Sequence, residues 1–316
     1  MNGRILITGG LGFLGGRIAK FLQEQYSTSL IIGSRSNHSP VVFASEIPVE
    51  KIQWNSQRQL EELCREVDTI IHLAAMNAGD CLKTPLEAWE INVIHTAALI
   101  EAAKISDVGR FIYFSTAHVY GTNLRGTVSE ETLPLALNTY AATHRAAEDI
   151  VLGGVTNQLA GIVLRLSNGV GESMHSEVNA WMLLMNDICL QAATTGQIIL
   201  NSDGMQWRNF ITLEDVARAT SHFVSLPRSS IGGGLFNLGG KESKRVMDMA
   251  RLARERCKIV LGFVPEIKCM VNVNHYQDLP LDYRIDRLLE TGFTLTGNFE
   301  KEVDKILLMC SKKSVK

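Results

Sequence analysis

Short apolar runs alternate with helical periodicity along the first half of the chain. Ile5 to Ile7 is one such run, and Leu14, Ile18, Phe21 and Leu22 then recur on a single helical face. Ser29 to Ser36 predicts a second strand ending in a turn, Ile52 to Asn55 a third and Asp68 to Ala75 a fourth. Phe111 to Ser115 predicts a fifth strand and Gly161 to Asn168 a sixth. The fourth run is apolar enough to be buried on both faces, as parallel strands are. Residues 40–68 alternate short extended pieces with an amphipathic helix from Gln57 to Glu66. A long helix is expected over Pro85 to Lys104, and another from Tyr140 to Leu152. Repeated strand–helix alternation predicts a doubly wound parallel sheet.

Beyond residue 170 the pattern loosens. A helix is expected from Trp181 to Ala193, an extended piece at Ile198 to Leu200 and a short strand at Asn209 to Ile211. Thr212 reads as the cap of a helix from Leu213 to Val224, Leu235 to Gly239 as one more strand, and Glu300 to Met309 as a final helix. The expected fold is therefore α/β: a Rossmann-like doubly wound parallel sheet in 1–170 and 206–240. A smaller mixed α/β substrate-binding lobe is expected in 171–205 and 241–316, so the two interleave. No internal repeat or low-complexity linker interrupts them.

Composition narrows the function classes. The 316 residues are 46% hydrophobic and 20% charged with a net charge of −2, and no dense basic stripe points to nucleic acid. No apolar run approaches the roughly 20 residues of a membrane span. The six cysteines (64, 81, 189, 257, 269 and 310) form no C-x-x-C and no metal-like cluster with histidine, which reads as free thiols in a reducing compartment. With a strand starting at residue 4 there is no room for a signal peptide, and a cytoplasmic protein is expected. Lys312, Lys313 and Lys316 read as a solvated tail.

The first strand runs straight into glycines. Gly10, Gly12 and Gly15 meet the G-x-G-x-x-G spacing in the required order of strand, turn and helix. That spacing gives a tight turn, room for backbone to approach a pyrophosphate, and close helix–strand packing. The helix N-terminus would then face the phosphates. Gly9, Gly12, Phe13, Leu14 and Gly15 are thus expected to bind a dinucleotide. An acidic residue at the end of the second strand would select NAD, yet Gly33, Ser34 and Arg35 stand there. A guanidinium with a neighbouring hydroxyl suits a 2′-phosphate, so NADP is the expected cofactor, with NAD the alternative. Asn55 is expected near the adenine, and Leu73, Ala74 and Ala75 near the nicotinamide ribose. His72, inside the fourth strand, reads as a hydrogen-bonded core residue.

The candidate chemistry follows the fifth strand, where open α/β sheets bind ligands. Ser115-Thr116-Ala117-His118-Val119-Tyr120-Gly121 closes that strand, and Tyr140 and His144, four residues apart, share a helix face. Taken in order, several segments resemble the extended short-chain dehydrogenase/reductase family, in its nucleotide-sugar epimerase, dehydratase and reductase branch. They are Thr8-Gly9-x-x-Gly12-x-x-Gly15, Asp68-x-x-x-His72-x-Ala74-Ala75, Asn92, and Ser115-Thr116-x-x-Val119-Tyr120-Gly121, then Arg165-x-x-Asn168-x-x-Gly171 and Arg208-Asn209-Phe210-Ile211-x-x-x-Asp215. The resemblance covers nearly the whole chain. It implies that Tyr140 exchanges a proton with the substrate oxygen, that Thr116 hydrogen-bonds the same oxygen, and that Asn92 belongs to the cofactor site. It also implies that Asn168 and Arg208 approach a sugar nucleotide, with His118 and His175 near the sugar as candidate additional acids.

The chain departs from the family pattern where Y-x-x-x-K has its lysine, because His144 stands there. A neutral imidazole can donate to a ribose hydroxyl. A charged one would support Tyr140 and lose that support near its ordinary pKa of about 6.5, so that activity falls as pH rises. Ala117 and His118 replace the acidic residue that water-eliminating relatives carry, so a 4,6-dehydratase is not expected. Three readings remain open: an NADPH-dependent reductase of a keto group on a nucleotide-linked sugar, a redox-neutral epimerase, and a non-catalytic NADP-binding sensor or assembly protein. A homodimer built on the Pro85–Lys104 and Tyr140–Leu152 helices is expected.

Overall fold

The computed structural model describes residues 3–26, 29–35, 47–175, 177–270 and 279–312. The expectations for Ser36, for residues 40–46, and for Lys313 and Lys316 lie outside the described residues. Seven parallel strands form the central sheet, in the order Leu235–Leu238, Ala160–Leu166, Arg110–Thr116, Thr69–His72, Arg4–Thr8, Ser29–Ser34 and Val49–Lys51. The chain starts in the middle, winds to one edge, then returns past Arg4–Thr8 to build the other half. That reversal, between Arg4–Thr8 and Thr69–His72, opens a crevice at the carboxyl ends of the strands.

Burial on both faces explains why the strands are apolar runs. Ile5 and Ile7 pack into one core with Ile18 and Leu22, while Leu6, one residue out of phase, packs into the other with Leu60 and Ile70. The third strand is Val49–Lys51 rather than Ile52 to Asn55. The ladder ends where Ile52 N donates to Ser34 O at 2.8 Å. Trp54 then turns away to stack on His95, with centroids 4.7 Å apart, and Ser56 caps the helix Gln57–Cys64. The long helix forms as Pro85–Trp89 and His95–Ile105 joined by a π-helical turn, Glu90–Ile94.

Asn168–Val170 leaves the main sheet to pair with Trp207–Thr212, which also pairs with Ser243–Arg245. A third core lies there, where Met185, Ile188, Met249, Ala253, Val303, Ile306 and Leu307 close the helices Leu184–Thr195, Val246–Leu261 and Phe299–Ser311 on one another. The expected lobe boundaries are not followed by the packing. Leu281, Tyr283, Ile285, Leu288 and Phe293, from the segment assigned to the second lobe, join the core of the main sheet. Leu281–Tyr283 pairs with Gly126–Val128 on that side. No helix among the described residues is long and apolar enough to cross a membrane.

Candidate active site

A cavity of about 590 Å³ opens at the carboxyl ends of the central strands. Its floor is the glycine turn. Gly9 has φ +70°, a region that favours glycine, and a Cβ on Gly15 would stand 2.3 Å from Gly9 O. The helix Phe13–Gln25 begins at Gly12 with no side-chain cap and no acid in its first turn, so its positive end faces the cavity uncompensated. Beside it, the Leu73–Ala74 turn is held by Thr8 Oγ1, which accepts from Leu73 N at 3.3 Å and Ala74 N at 3.4 Å. His72 locks Thr8 in place. Thr96 Oγ1 donates to Asn92 O at 2.7 Å and therefore accepts from His72 Nε2, leaving Nδ1 to accept from Thr8 Oγ1 at 2.6 Å. Burial, reinforced by the charges of His95 and His144, lowers the His72 pKa to about 3.

Of the expected cofactor residues, Gly9, Gly12, Phe13, Leu14, Gly15, Arg35, Leu73 and Ala75 border the cavity, together with Tyr140 and His144. Ala74 is fastened next to it, and Ser34 ends its strand one residue before Arg35. Asn55 lies in an exposed turn away from the lining. Asn92 is buried behind the site: its Oδ1 accepts from Met76 N at 2.8 Å and its Nδ2 donates to Thr143 Oγ1 at 2.9 Å. It bolts the π turn to the neighbouring helix rather than reaching the cavity. An uncapped helix end, a glycine turn with no Cβ in the way, and a buried imidazole nitrogen lacking a partner together fit a dinucleotide.

Thr116, His118, Tyr140 and His144 meet on one wall. Asn138 caps the helix Thr139–Gly153 by accepting from Ala141 N at 2.9 Å, which sets Tyr140 in the first turn. Burial raises the Tyr140 pKa above its ordinary value, while the Thr116 hydroxyl pulls against that rise. His144 packs edge-on to Tyr140 with centroids 4.6 Å apart. Its Nδ1 pairs with Tyr113 Oη at 2.7 Å, and its Nε2 is buried with no partner among the described residues. Burial lowers the His144 pKa to about 4, against an opposing pull from Glu148 and with help from His118. Of the two forms the sequence leaves open, this environment favours the neutral imidazole at pH 7. His118 is edge-on to Tyr140 at 5.9 Å, and desolvation together with the charge of Arg208 holds it below the ordinary imidazole value.

Glu148, one turn beyond His144, carries a role that sequence reasoning missed. Fully buried, it accepts from Ser115 Oγ at 2.5 Å, from Arg165 Nε and Nη2 at 2.9 and 2.6 Å, and from Arg145 Nη1 at 2.9 Å. Arg165 is 1% exposed and lies 4.6 Å over the Tyr120 ring. The structure commits Arg165 to Glu148. Glu148 pulls toward a protonated His144, but burial outweighs that pull.

Asn168 also borders the cavity and donates to Asn209 O at 2.8 Å. His175 also borders it and donates from Nε2 to Leu11 O at 3.0 Å, tying this wall to the glycine turn. Arg208 donates to Thr122 O at 3.0 Å and stands outside the lining. Glu177 is the only carboxylate among the described residues that border the cavity.

The sequence model of the NAD dependent epimerase/dehydratase family matches residues 5–239. The chain is 30% identical over 320 residues to the trifunctional UDP-glucose 4,6-dehydratase/UDP-4-keto-6-deoxy-D-glucose 3,5-epimerase/UDP-4-keto-L-rhamnose-reductase of Arabidopsis thaliana. That alignment covers 96% of this chain and 46% of the relative, so the chain spans about half the length of the curated relatives it matches first. Its fold is that of a UDP-N-acetylglucosamine 4-epimerase from Methanobrevibacter ruminantium solved with UDP-N-acetylmuramic acid, at a TM-score of 0.82, 20% identity and 99% coverage of each chain. An RMD from Pseudomonas aeruginosa complexed with NADPH shares the fold at a TM-score of 0.78 and 20% identity, over 99% of this chain and 100% of that one. The family match spans most of the chain, from the first strand to the end of the central sheet, and places this protein in the NAD dependent epimerase/dehydratase family, an extended branch of the short-chain dehydrogenases/reductases.

Proposed function

We propose that the chain is an NADPH-dependent reductase acting on a keto group of a nucleotide-activated sugar, with Tyr140 as proton donor. The observation that carries this reading is a buried imidazole, not a fixed cation, packed edge-on to Tyr140, with burial lowering its pKa. A nicotinamide cofactor, when bound, supplies the hydride. Tyr140 holds a proton, because burial raises its pKa, and delivers it to the substrate oxygen as negative charge develops there. Thr116, on the same wall, hydrogen-bonds that oxygen and steadies it. His144 Nε2, which has no partner among the described residues, is available to a ribose hydroxyl.

The reverse direction needs a phenolate to take a proton from a substrate hydroxyl. With the phenol above its ordinary pKa of about 10 and no fixed cation at residue 144, that form is scarce at neutral pH. A redox-neutral epimerase must pass through such a step in every turnover, and a reductase need not. Elimination of water is disfavoured too, because Ala117 and His118 follow Thr116 and Glu177 is the only carboxylate of the described lining. Arg35 bordering the cavity, with no acid beside it at the strand end, supports NADPH over NADH.

A homodimer fits the exposed stripe of Leu82 (68%), Leu86 (85%), Trp89 (43%) and Ile94 (60%) on the Ala78–Ile105 helical segment. Free cysteines at 64, 81, 189, 257 and 269 fit a cytoplasmic setting. The test is NADPH oxidation against a panel of 4-keto nucleotide sugars. Turnover with at least one is expected, and none despite tight NADPH binding overturns the reading. NAD(P) that survives purification, with sugar isomers interconverted and no net NADPH used, would support the epimerase instead.

A further inference from the structure

A tyrosine inside an apolar strand demands an explanation, because a buried phenol needs a hydrogen-bond partner. Tyr113 lies in the middle of Arg110–Thr116, 2% exposed, in register with His72 on one side and Val163 on the other. Its one polar partner among the described residues is His144 Nδ1, at 2.7 Å. His144 borders the cavity, and its Nε2 is buried without a partner among the described residues.

Two proton arrangements are open to this pair, and they differ in what they leave unsatisfied. If Nδ1 carried the proton, the Tyr113 hydroxyl hydrogen would have no acceptor and Nε2 would be a bare lone pair, two buried groups unmatched. If Tyr113 donates to Nδ1, the proton sits on Nε2, and only that N–H awaits an acceptor. Unmatched buried polar groups are costly, so the second arrangement wins. Carboxylates do not compete for the ring, since Glu148 is engaged by Ser115, Arg145 and Arg165.

We propose that Tyr113 is a positioning residue: its hydroxyl, donating to Nδ1, fixes the His144 ring as an Nε2–H donor for a ribose hydroxyl of the nicotinamide cofactor. The pair takes over the orienting part of the missing lysine without its charge. A phenol polarises the ring and fixes its orientation but, unlike a carboxylate at Nδ1, does not hold a second proton on it. This rests on the reading that the cavity binds NADPH, but not on any sugar being reduced.

The test therefore uses no sugar. In ¹⁵N spectra of histidine-labelled protein, Nε2 of His144 should carry the proton and Nδ1 should show the shift of a nitrogen accepting a hydrogen bond. A proton on Nδ1 in the wild type overturns the proposal without any variant. Tyr113→Phe, which removes one oxygen and keeps the ring, should move the Nδ1 resonance toward that of a free acceptor. It should also weaken NADPH, titrated by fluorescence, by about fivefold to tenfold, as the loss of one net hydrogen bond does. In a His144→Ala background the same change should alter NADPH affinity by less than about twofold, since the two residues act as one unit. Equal weakening in both backgrounds would show that Tyr113 serves only the packing, and would overturn the proposal. If the coupling is found and no sugar is reduced, the reductase reading fails alone. Turnover without the coupling removes Tyr113 alone.

Discussion

Restoring a cation at residue 144 should change the direction the site favours. In the wild type, His144 has its pKa lowered to about 4 by burial, so about one ring in a thousand is charged at pH 7. The Tyr140 and His144 rings are edge-on with centroids 4.6 Å apart. A lysine amine in His144→Lys would come to within about 6 Å of the phenol oxygen. At an effective dielectric of about 20, a unit charge there stabilises the phenolate by about 2.8 kcal/mol, or about two pK units. Glu148 one turn away favours keeping that lysine charged, and its own desolvation opposes it. Reductive kcat/KM of the wild type should therefore show no limb near the ordinary imidazole value of about 6.5. The His144→Lys enzyme should lose reductive activity at a lower pH than the wild type does, and should gain measurable alcohol oxidation in that range. Initial rates in both directions across pH decide the matter. A wild-type limb near 6.5 that disappears in His144→Ala would refute the reasoning, because it would require a charged imidazole in the working enzyme.

Three further outcomes follow from the same geometry. His72 and His144 have folded pKa values of about 3 and about 4, below the unfolded value. The stability they contribute is fully present above about pH 6.5 and is lost as pH falls toward the folded values, by at most about 1.4 kcal/mol per pH unit for each ring. Urea midpoints should drop between pH 6.5 and 5, with a shallower drop in His144→Gln, and unchanged midpoints would contradict the burial argument. Glu148→Ala leaves Arg165, 1% exposed, as an unpaired buried cation, so urea unfolding should show a loss of about 3–5 kcal/mol. Pairing that change with Arg165→Met should recover part of the loss, and a single-variant loss under about 1 kcal/mol would contradict the burial of the pair. Arg35→Ala should weaken NADPH by about 1.5–3 kcal/mol in a fluorescence titration while leaving NADH nearly unchanged, and equal losses for both would remove the NADPH assignment.

The parts of the fold that could be read from the chain were those where one physical demand dominates. Ile5-Leu6-Ile7 and Phe111-Ile112-Tyr113-Phe114 must be strands, because both faces of the sheet are covered. The glycine turn followed from spacing, because the bend and close approach admit no side chain at Gly15. The helix Val246–Leu261 was not legible, since its buried stripe is narrow (Met249, Ala250, Ala253, Cys257) and arginines surround it. Val49–Lys51 was misplaced by a few residues because Ile52 is buried just past the ladder, as a strand residue would be.

At the site, Tyr140, Thr116 and His144 stood out by motif, and the structure brings all three to one wall. Their supports did not stand out. A glutamate on an amphipathic helix reads as a solvated face, and nothing local tells that Glu148 meets Arg165 from a strand 17 residues on. Tyr113 and His144 are 31 residues apart and meet only once strand and helix pack. The same long-range burial decides the charge of His144, which local sequence leaves open.

The proposed reductase transfers a hydride and a proton to the sugar in net reduction and does not return them. This is tested most directly with NADPH deuterated at nicotinamide C4 and a 4-keto nucleotide sugar. One deuterium is expected in the alcohol product for each NADPH consumed, with no keto sugar regenerated at neutral pH. Interconversion of sugar epimers with no net NADPH consumption and no deuterium in the product would contradict it.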